Sequence, residues 1–449
     1  MTKKNLSAAL QVFYGFGVSY AICDQIFSQW VLYYYLPSSS SALKPLLSPL
    51  FIIVALMTSR LIDMISDPLV GYWSDRVDTK WGRRIPFITA GAIPLMITTV
   101  LFFYPFSKSS EIMIFYHLTI TGCMFFIFYT IVGAPYNALI PEISHSQSDR
   151  LNLSTWQSVF RLIYSAAAMI LPGILIKKLG NGNEETGIRY MAVLFSIFAA
   201  LGIFITSLTI DEKKLSGGKT SREKLFSSLK KAFRYKSFII YLCGFLFFFT
   251  GFNTLRATMN YYVEDIMGMG KAQISIAAGC LFGVTALFFY PVNQLSKKVG
   301  YKKLMIPSLL FLVVISLGFF NLGKFIPVSF GFLLFALAGI SVSGAAFIFP
   351  PAMLSEISAV ATHETGIKIE GIFFGIQGFF LKLAFFISIG VLPILLVSGS
   401  GKSFVENLIQ KPDAVEKAGI YYTALFSAIC FLISAVIYYF YPEKILKDE

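Results

Sequence analysis

Asp63 and Asp67 stand four residues apart in the stretch SRLIDMISDPLVGYWSDR, residues 59–76, inside a run that is otherwise mainly apolar. On a helix that spacing puts both carboxylates on one face. Side by side they repel each other, so a cation must relieve them or one must hold a proton. Arg60, three residues before Asp63, can neutralise one of them. Ser66 adds a hydroxyl oxygen, and Pro68 removes a backbone donor and frees carbonyls nearby. Two carboxylates with hydroxyl oxygens make a cage for a hard cation such as sodium, or a place for a proton. The competing structural reading is a buried Arg–Asp pair that locks two helices. It accounts for one aspartate and leaves the other unexplained.

Four further charges fall in apolar runs: Asp24, Arg161, Arg256 and Lys382. A charge at mid-membrane costs about 2.5–3.5 kcal/mol on insertion scales, so such residues pair, face water or serve function. Asp24 is expected to pair with Arg161, Arg256 or Lys382, or to hydrogen-bond a hydroxylated solute. Acids early in the chain and cations later in it predict a polar cavity between two halves.

These residues must be positioned by membrane helices. The chain has 449 residues, 56% hydrophobic and 14% charged, against about 25% charged in soluble domains. At about 20 apolar residues per span, the sequence predicts twelve spans near 10–35, 48–73, 85–106, 111–140, 152–176, 187–210, 237–262, 272–294, 304–323, 326–351, 369–397 and 418–441. With the N-terminus inside, most of the 37 Lys and Arg lie in inside loops, which predicts both termini in the cytoplasm. The net charge of +13 is therefore read as loop charge and not as a nucleic-acid surface. The start, MTKKNLSAALQVFYG, is read as a short tail before the first span. The basic stretch DEKKLSGGKTSREKLFSSLKKAFRYKS divides the chain into bundles at 1–210 and 237–449, joined by a linker at 211–236. Within it, 222–234 is read as a solvated connector or an amphipathic surface helix. GYWSDRVDTKWGRRIPFI after the second span is echoed by NQLSKKVGYKKLMIP after the eighth, as in a duplicated transporter.

Catalytic motifs are wanting. Cys23, Cys123, Cys243, Cys280 and Cys430 are scattered, and His117, His145 and His363 lie at no metal spacing. GSGKS at 399–403 fails as a phosphate loop, because the required first glycine falls at Leu396. Neither an enzyme nor a channel fits single acids set in two repeated halves.

The stretch RLIDMISDPLVGYWSDR…WGRRIPFI resembles the glycoside–pentoside–hexuronide:cation symporters, the melibiose-permease relatives within the major facilitator superfamily. Its YWSDR…GRRIPFITAGA half is also similar to plant sucrose transporters. YGFG at 14–17, YTIVGAPYNALIPEI at 129–143, DRLNLSTWQ at 149–157 and EGIFFGIQGFFLKLA at 370–384 extend the resemblance. It implies an all-α fold of two six-helix bundles and symport of a sugar or glycoside with sodium or a proton. It implies a cation site of Asp63, Asp67, Ser66 and Thr130, Ser66 standing where melibiose permeases have Asn. It implies a substrate set of Asp24, Asn137, Gln157, Arg161, Arg256 and Lys382. Asp75, Arg76, Arg83 and Arg84 become loop contacts made in only one access state, a cytoplasmic gate. Some aromatics are expected to stack on a sugar ring; the sequence does not pick which, though Trp156 and Tyr136 sit near matched family positions. The family's span-4 Asp falls at Gly133 and its span-5 Arg near Gln157, with Arg161 one turn later, which points to a substrate other than melibiose. Sodium-coupled lysolipid transporters share the fold and the span-2 acids. The expected protein is a monomer in a bacterial cytoplasmic membrane, with membrane lipid and a small solute as partners. It has no cofactor, and no metal beyond a sodium at Asp63 and Asp67.

Overall fold

The computed structural model describes residues 6–74, 76–77, 79–106, 110–144, 147–215, 233–365 and 370–442. Asp75, and residues 222–232 of the expected connector, lie outside them. The chain divides into two compact units. Unit 1 comprises Met1–Pro37, Ser41–Ser221 and Ile409–Asp413; unit 2 comprises Ser38–Ser40, Arg222–Leu408 and Ala414–Glu449. The described residues form helices and no sheet, with two isolated bridges. Ten of the helices are long and apolar enough to cross a membrane.

Unit 1 begins with a relay of short pieces: α1 (Ala8–Phe16), a 3₁₀ turn at Gly17–Tyr20, α2 (Ala21–Ile26), a π turn at Phe27–Val31 and α3 (Leu32–Tyr35). This is the expected span 10–35, interrupted on both sides of Asp24. Such interruptions of the α ladder recur at functional sites. The long helices α4 (Pro49–Ser74), α6 (Glu111–Ile143), α7 (Gln147–Gly180) and α8 (Glu184–Thr209) follow, with α5 (Ile85–Leu101) between α4 and α6. The expected span 85–106 stops early at Leu101 for a local reason. The carbonyls of Phe102 and Phe103 accept from Tyr35 Oη at 2.9 Å, Tyr34 Oη at 3.1 Å and Arg189 Nε at 2.8 Å. A short helix α9 (Glu212–Leu215) follows α8.

Unit 2 repeats the theme within itself. Its first span is α10 (Lys236–Ala257), α11 (Met259–Tyr261) and a π turn at Tyr262–Ile266. Next come α12 (Lys271–Val299), α13 (Tyr301–Asn321), α14 (Gly331–Val342), a π turn at Ser343–Ile348 and α15 (Phe349–Thr365). Helices α16 (Glu370–Val397), α17 (Phe404–Ile409) and α18 (Lys417–Tyr439) complete the described chain. The first span of each half is thus interrupted and contains a π turn, as expected of a duplicated transporter with discontinuous helices.

Lipid offers no hydrophobic drive between helices, so small residues that admit close backbones hold them together. In unit 2, Ser427 and Ser434 of α18 donate to the carbonyls of Gly251 and Gly244 on α10, at 3.0 and 2.8 Å. In unit 1, α7 and α8 touch at Gly187, where an added Cβ would lie 2.3 Å from the backbone oxygen of Ile176. Gly279 on α12 meets nothing within 4 Å. Gly187→Val is therefore expected to lower stability by about 1–3 kcal/mol through overpacking. Gly279→Ala is expected to be neutral or to gain up to about 1 kcal/mol. Thermal unfolding of the purified protein in detergent measures both, and equal effects at the two sites would contradict the packing described.

Candidate functional site

The structure builds the charged cluster of unit 1 around Arg60. Its guanidinium donates to Asp24 Oδ1 at 2.9 Å, Ser28 Oγ at 3.2 Å and Asp63 Oδ2 at 3.4 Å. The rings of Phe27 and Phe126 flank it, with centroids at 5.0 and 4.5 Å. A planar cation between aromatic faces gains from the ring quadrupoles as well as from its carboxylates. The side chains of Arg60 and Asp63 are 3% and 1% exposed, so all of this takes place out of water.

Asp24 was expected to find Arg161, Arg256 or Lys382, and the structure corrects that: it pairs with Arg60. The cause lies in span 1, where the 3₁₀ and π turns around α2 bring Asp24 and Ser28 together onto the Arg60 head. Arg60 thus has its closest carboxylate on another helix, and Asp63 is its longer contact.

One turn along α4, Ser66 and Thr130 lie 2.8 Å apart, and Thr130 Oγ1 donates to Asp67 Oδ1 at 3.3 Å. Thr130 has one hydroxyl proton. When it goes to Asp67, the Ser66 hydroxyl is the donor to Thr130. Ser66 also reaches the Asp63 carbonyl at 3.2 Å. The side chains of Ser66, Thr130 and Asp67 therefore meet between α4 and α6, while the Asp63 carboxylate contacts Arg60 and its carbonyl accepts from Ser66. Asp63, Ser66 and Thr130 are buried and Asp67 is half-buried.

Of the substrate residues expected in unit 1, Asp24 lies on α2 at Arg60, while Asn137, Gln157 and Arg161 lie on α6 and α7. Gln157 Nε2 donates to Asn137 Oδ1 at 2.7 Å. Arg161 donates to the hydroxyl of Tyr20 at 3.3 Å, a phenol and not an acid. Tyr20 in turn meets Tyr129 and Tyr136 edge-on, at 5.1 and 5.7 Å, and Tyr136 stacks on Tyr14 at 4.7 Å. Sequence reasoning named Tyr136 and Trp156 but not Tyr20, Tyr129 or Ser28, because a chain with 46 Phe and 23 Tyr gives no means of choosing among them. Gly133 faces the same ring: a Cβ there would lie 3.1 Å from Tyr20 Cε2. Tyr20 thus occupies the room into which a longer residue at 133 would reach.

Arg256 and Lys382 belong to unit 2. Arg256 is buried, its guanidinium lies 5.8 Å from the Phe385 ring centroid, and it lines a small apolar pocket with Phe252, Leu255, Met259 and Leu281. Lys382 is half-buried on α16, one turn before Phe385.

The residues expected at the cytoplasmic gate make contacts as follows. Arg76 is exposed and lies over the Tyr72 ring at 3.8 Å. Arg83 and Arg84 pair with Glu142 at 3.4 and 2.9 Å, and Arg84 also donates to Ser74 Oγ. These contacts lie wholly within unit 1. Glu142 and its neighbour Glu212 were missed. Glu142 lies in the PEI that ends the 129–143 stretch, and Glu212 opens the linker, where an acid among lysines reads as surface charge.

The sequence profile of the family described as MFS/sugar transport protein matches residues 13–443, and the chain belongs to that family. It is an integral membrane protein and a secondary transporter of the glycoside–cation symporter group within the major facilitator superfamily. An uncharacterized symporter of Bacillus subtilis, YnaJ, is 26% identical over 87% of this chain and 83% of its own. An isoprimeverose transporter of Lactiplantibacillus pentosus is 22% identical over 88% and 80%. A sodium-dependent lysophosphatidylcholine symporter of Gallus gallus is 24% identical over 77% and 71%. Among solved structures, the inward-open xylose transporter XylE of E. coli aligns with a TM-score of 0.65 over 97% of this chain and 96% of that one, at 14% identity. This last likeness concerns the fold.

Removing Arg60 would leave Asp24 and Asp63 without their shared guanidinium. Breaking a buried pair from one side costs about 3–5 kcal/mol, so Arg60→Met is expected to lower the thermal midpoint sharply. Adding Asp24→Asn to Arg60→Met should recover part of that loss, since the two residues are coupled. Thermal unfolding of the single and double variants checks this; a wild-type midpoint for Arg60→Met would contradict the role of Arg60 as the clamp.

Proposed function

We propose that the protein is a cation-coupled symporter of a sugar or glycoside, with the coupling ion at Asp63 and Asp67. One arrangement carries the reading. Asp24 supplies the short contact to Arg60, while the carboxylate at position 67 stands one turn further along with the hydroxyls of Ser66 and Thr130. Two carboxylates and two hydroxyls present hard oxygen donors to a small cation. A sodium ion or a proton relieves the repulsion between Asp63 and Asp67, and the relieved state binds solute more tightly. By linkage, solute then tightens the ion site by the same factor. Transport follows by alternating access, and the protein works as a carrier and not as an enzyme.

The solute is gripped in unit 1 by Asn137, Gln157 and Arg161, with the tyrosine cluster at Tyr20 and Tyr129 offering faces for a sugar ring. Arg256 and Lys382 are the unit 2 residues that the resemblance assigns to the solute. The isoprimeverose transporter supports a glycoside as the class of solute. The tyrosine at position 20 against Gly133 supports one differing from melibiose in how its hydroxyls are held. Relatives among the bacteria support a bacterial membrane, and the excess of Lys and Arg in the inside loops supports both termini in the cytoplasm.

Uptake into proteoliposomes tests this directly. Labelled mono- and disaccharides and a lysophospholipid are offered under an imposed sodium gradient and, separately, a proton gradient. The expected result is accumulation of a sugar under one gradient. Asp63→Asn and Asp67→Asn should each lower uphill accumulation at least about tenfold, the loss of roughly 1.4 kcal/mol of coupling, while the protein still inserts. Lysolipid uptake alone would overturn the choice of solute, and full accumulation by both variants would overturn the ion site.

A further inference from the structure

A second pair of carboxylates lies at the opposite end of α6 from its Glu111 start, and the transport reading makes no use of it. Glu212, the first residue of α9, sends its carboxylate to the N-terminus of α5. Its Oε1 accepts from Arg83 N at 2.9 Å and Arg84 N at 3.1 Å; its Oε2 accepts from Arg84 N at 2.8 Å and Ile85 N at 3.0 Å. The first backbone N–H groups of a helix have no partner of their own, and here an acid some 128 residues away along the chain supplies one. Gly82, at φ 111°, permits the approach, since a Cβ there would fall 2.3 Å from Glu212 Oε2.

Glu142, just beyond the membrane-spanning part of α6, lies against this carboxylate. Its side chain is 8% exposed. Its Oε1 takes Arg84 Nε at 2.9 Å and the Arg83 guanidinium at 3.4 Å. Its Oε2 is fully buried and receives no donor from the described residues. The Glu212 carboxylate closes on the same arginine, at Arg84 N, so the two acids crowd one residue. Two acceptors facing each other out of water are stable when one of them holds a proton.

We infer that Glu142 and Glu212 form a proton-binding site, with the proton on Glu142 Oε2 donated to the Glu212 carboxylate, and that this proton fastens the segment after α8 to the start of α5.

The charged groups around the site, among the described residues, are Arg83 and Arg84 before α5 and Glu212 of α9; Ser74 of α4 is neutral, and Lys213 points to the Thr79 carbonyl at 3.4 Å. Burial and the Glu212 carboxylate push the Glu142 carboxyl above the ordinary carboxylate range, against the pull of Arg84 and Arg83. The sign follows. A group whose folded value is raised contributes its stabilisation in full at low pH and loses it as pH rises through that raised value. The fastening is thus tight at the acid side and loosens when both carboxylates are ionised. The site shares no residue with Asp24, Arg60, Asp63 or Asp67, so it stands or falls apart from the transport reading.

The test uses the full-length protein in lipid vesicles and two readouts other than uptake. Infrared difference spectra across pH should show a protonated-carboxyl C=O band that titrates above the ordinary carboxylate range. Hydrogen exchange at the Arg83, Arg84 and Ile85 amides, corrected for its intrinsic pH dependence, should quicken several-fold over the same interval. Glu142→Gln keeps a donor toward Glu212, so the band component should vanish and exchange should stay slow and flat. Glu212→Gln removes the ionised neighbour, so the Glu142 midpoint should fall toward the ordinary range. Asp63→Asn should leave the band component in place. A wild-type spectrum indifferent to Glu142→Gln, or exchange in Glu142→Gln that still follows pH as in wild type, would overturn the proposal.

Discussion

A guanidinium that is 3% exposed inside a membrane bundle must be neutralised within the protein, and unit 1 is arranged around meeting that demand for Arg60. The helix that carries Arg60 also carries Asp63, yet the closest carboxylate comes from Asp24 on another span. To deliver it, the first span gives up a continuous α ladder and runs as 3₁₀, α and π turns. Phe27, from the π turn, covers one side of the guanidinium, and Phe126, from α6, covers another. The irregular helix, the ion pair and the aromatic clamp are thus one structural solution. Its consequence falls on α4. With Asp24 at Arg60, the face that runs on to Ser66 and Asp67 has oxygen donors beyond what one guanidinium requires.

The same economy shapes the surroundings. Thr130 on α6 links Ser66 to Asp67, while one turn away on the same helix Gly133 leaves room for Tyr20. Tyr20 accepts from Arg161, so a second intramembrane cation is satisfied by a phenol without using an acid. The aspartates of α2 and α4 therefore lie at Arg60 and along the α4 face, while Arg161 meets a tyrosine. In the loop before α5 the logic is different. There Arg83 and Arg84 bind acids of their own unit, and a glutamate from the linker supplies the helix cap.

Much of this was legible in the residues. Asp63 and Asp67 could be placed on one face by their spacing alone, and the apolar runs marked the long helices. Seven charges in such runs announced that partners existed. What spacing could not convey was which partner each would choose. Asp24 found Arg60 because of π and 3₁₀ turns that leave no mark in hydropathy. The expected third span ended early because tyrosines and an arginine from elsewhere claimed its last carbonyls. Glu142 and Glu212 were overlooked because burial at a helix end depends on tertiary packing, and an acid beside lysines reads as solvated. The tyrosine cluster was hidden by abundance, one aromatic looking much like another in a chain so rich in them.

On the proposed reading the α4 acids, and not Arg60 and Asp24, hold the coupling ion. Direct ion binding tests it: radiolabelled sodium in equilibrium dialysis with the purified protein, over a range of pH, for wild type, Asp67→Asn and Asp24→Asn. The account predicts saturable binding that protons compete away, absent in Asp67→Asn and retained in folded Asp24→Asn. Should protons alone be the ion, sodium does not bind, and the proton released on raising the pH is missing from Asp67→Asn. Wild-type binding of either ion by Asp67→Asn would contradict it.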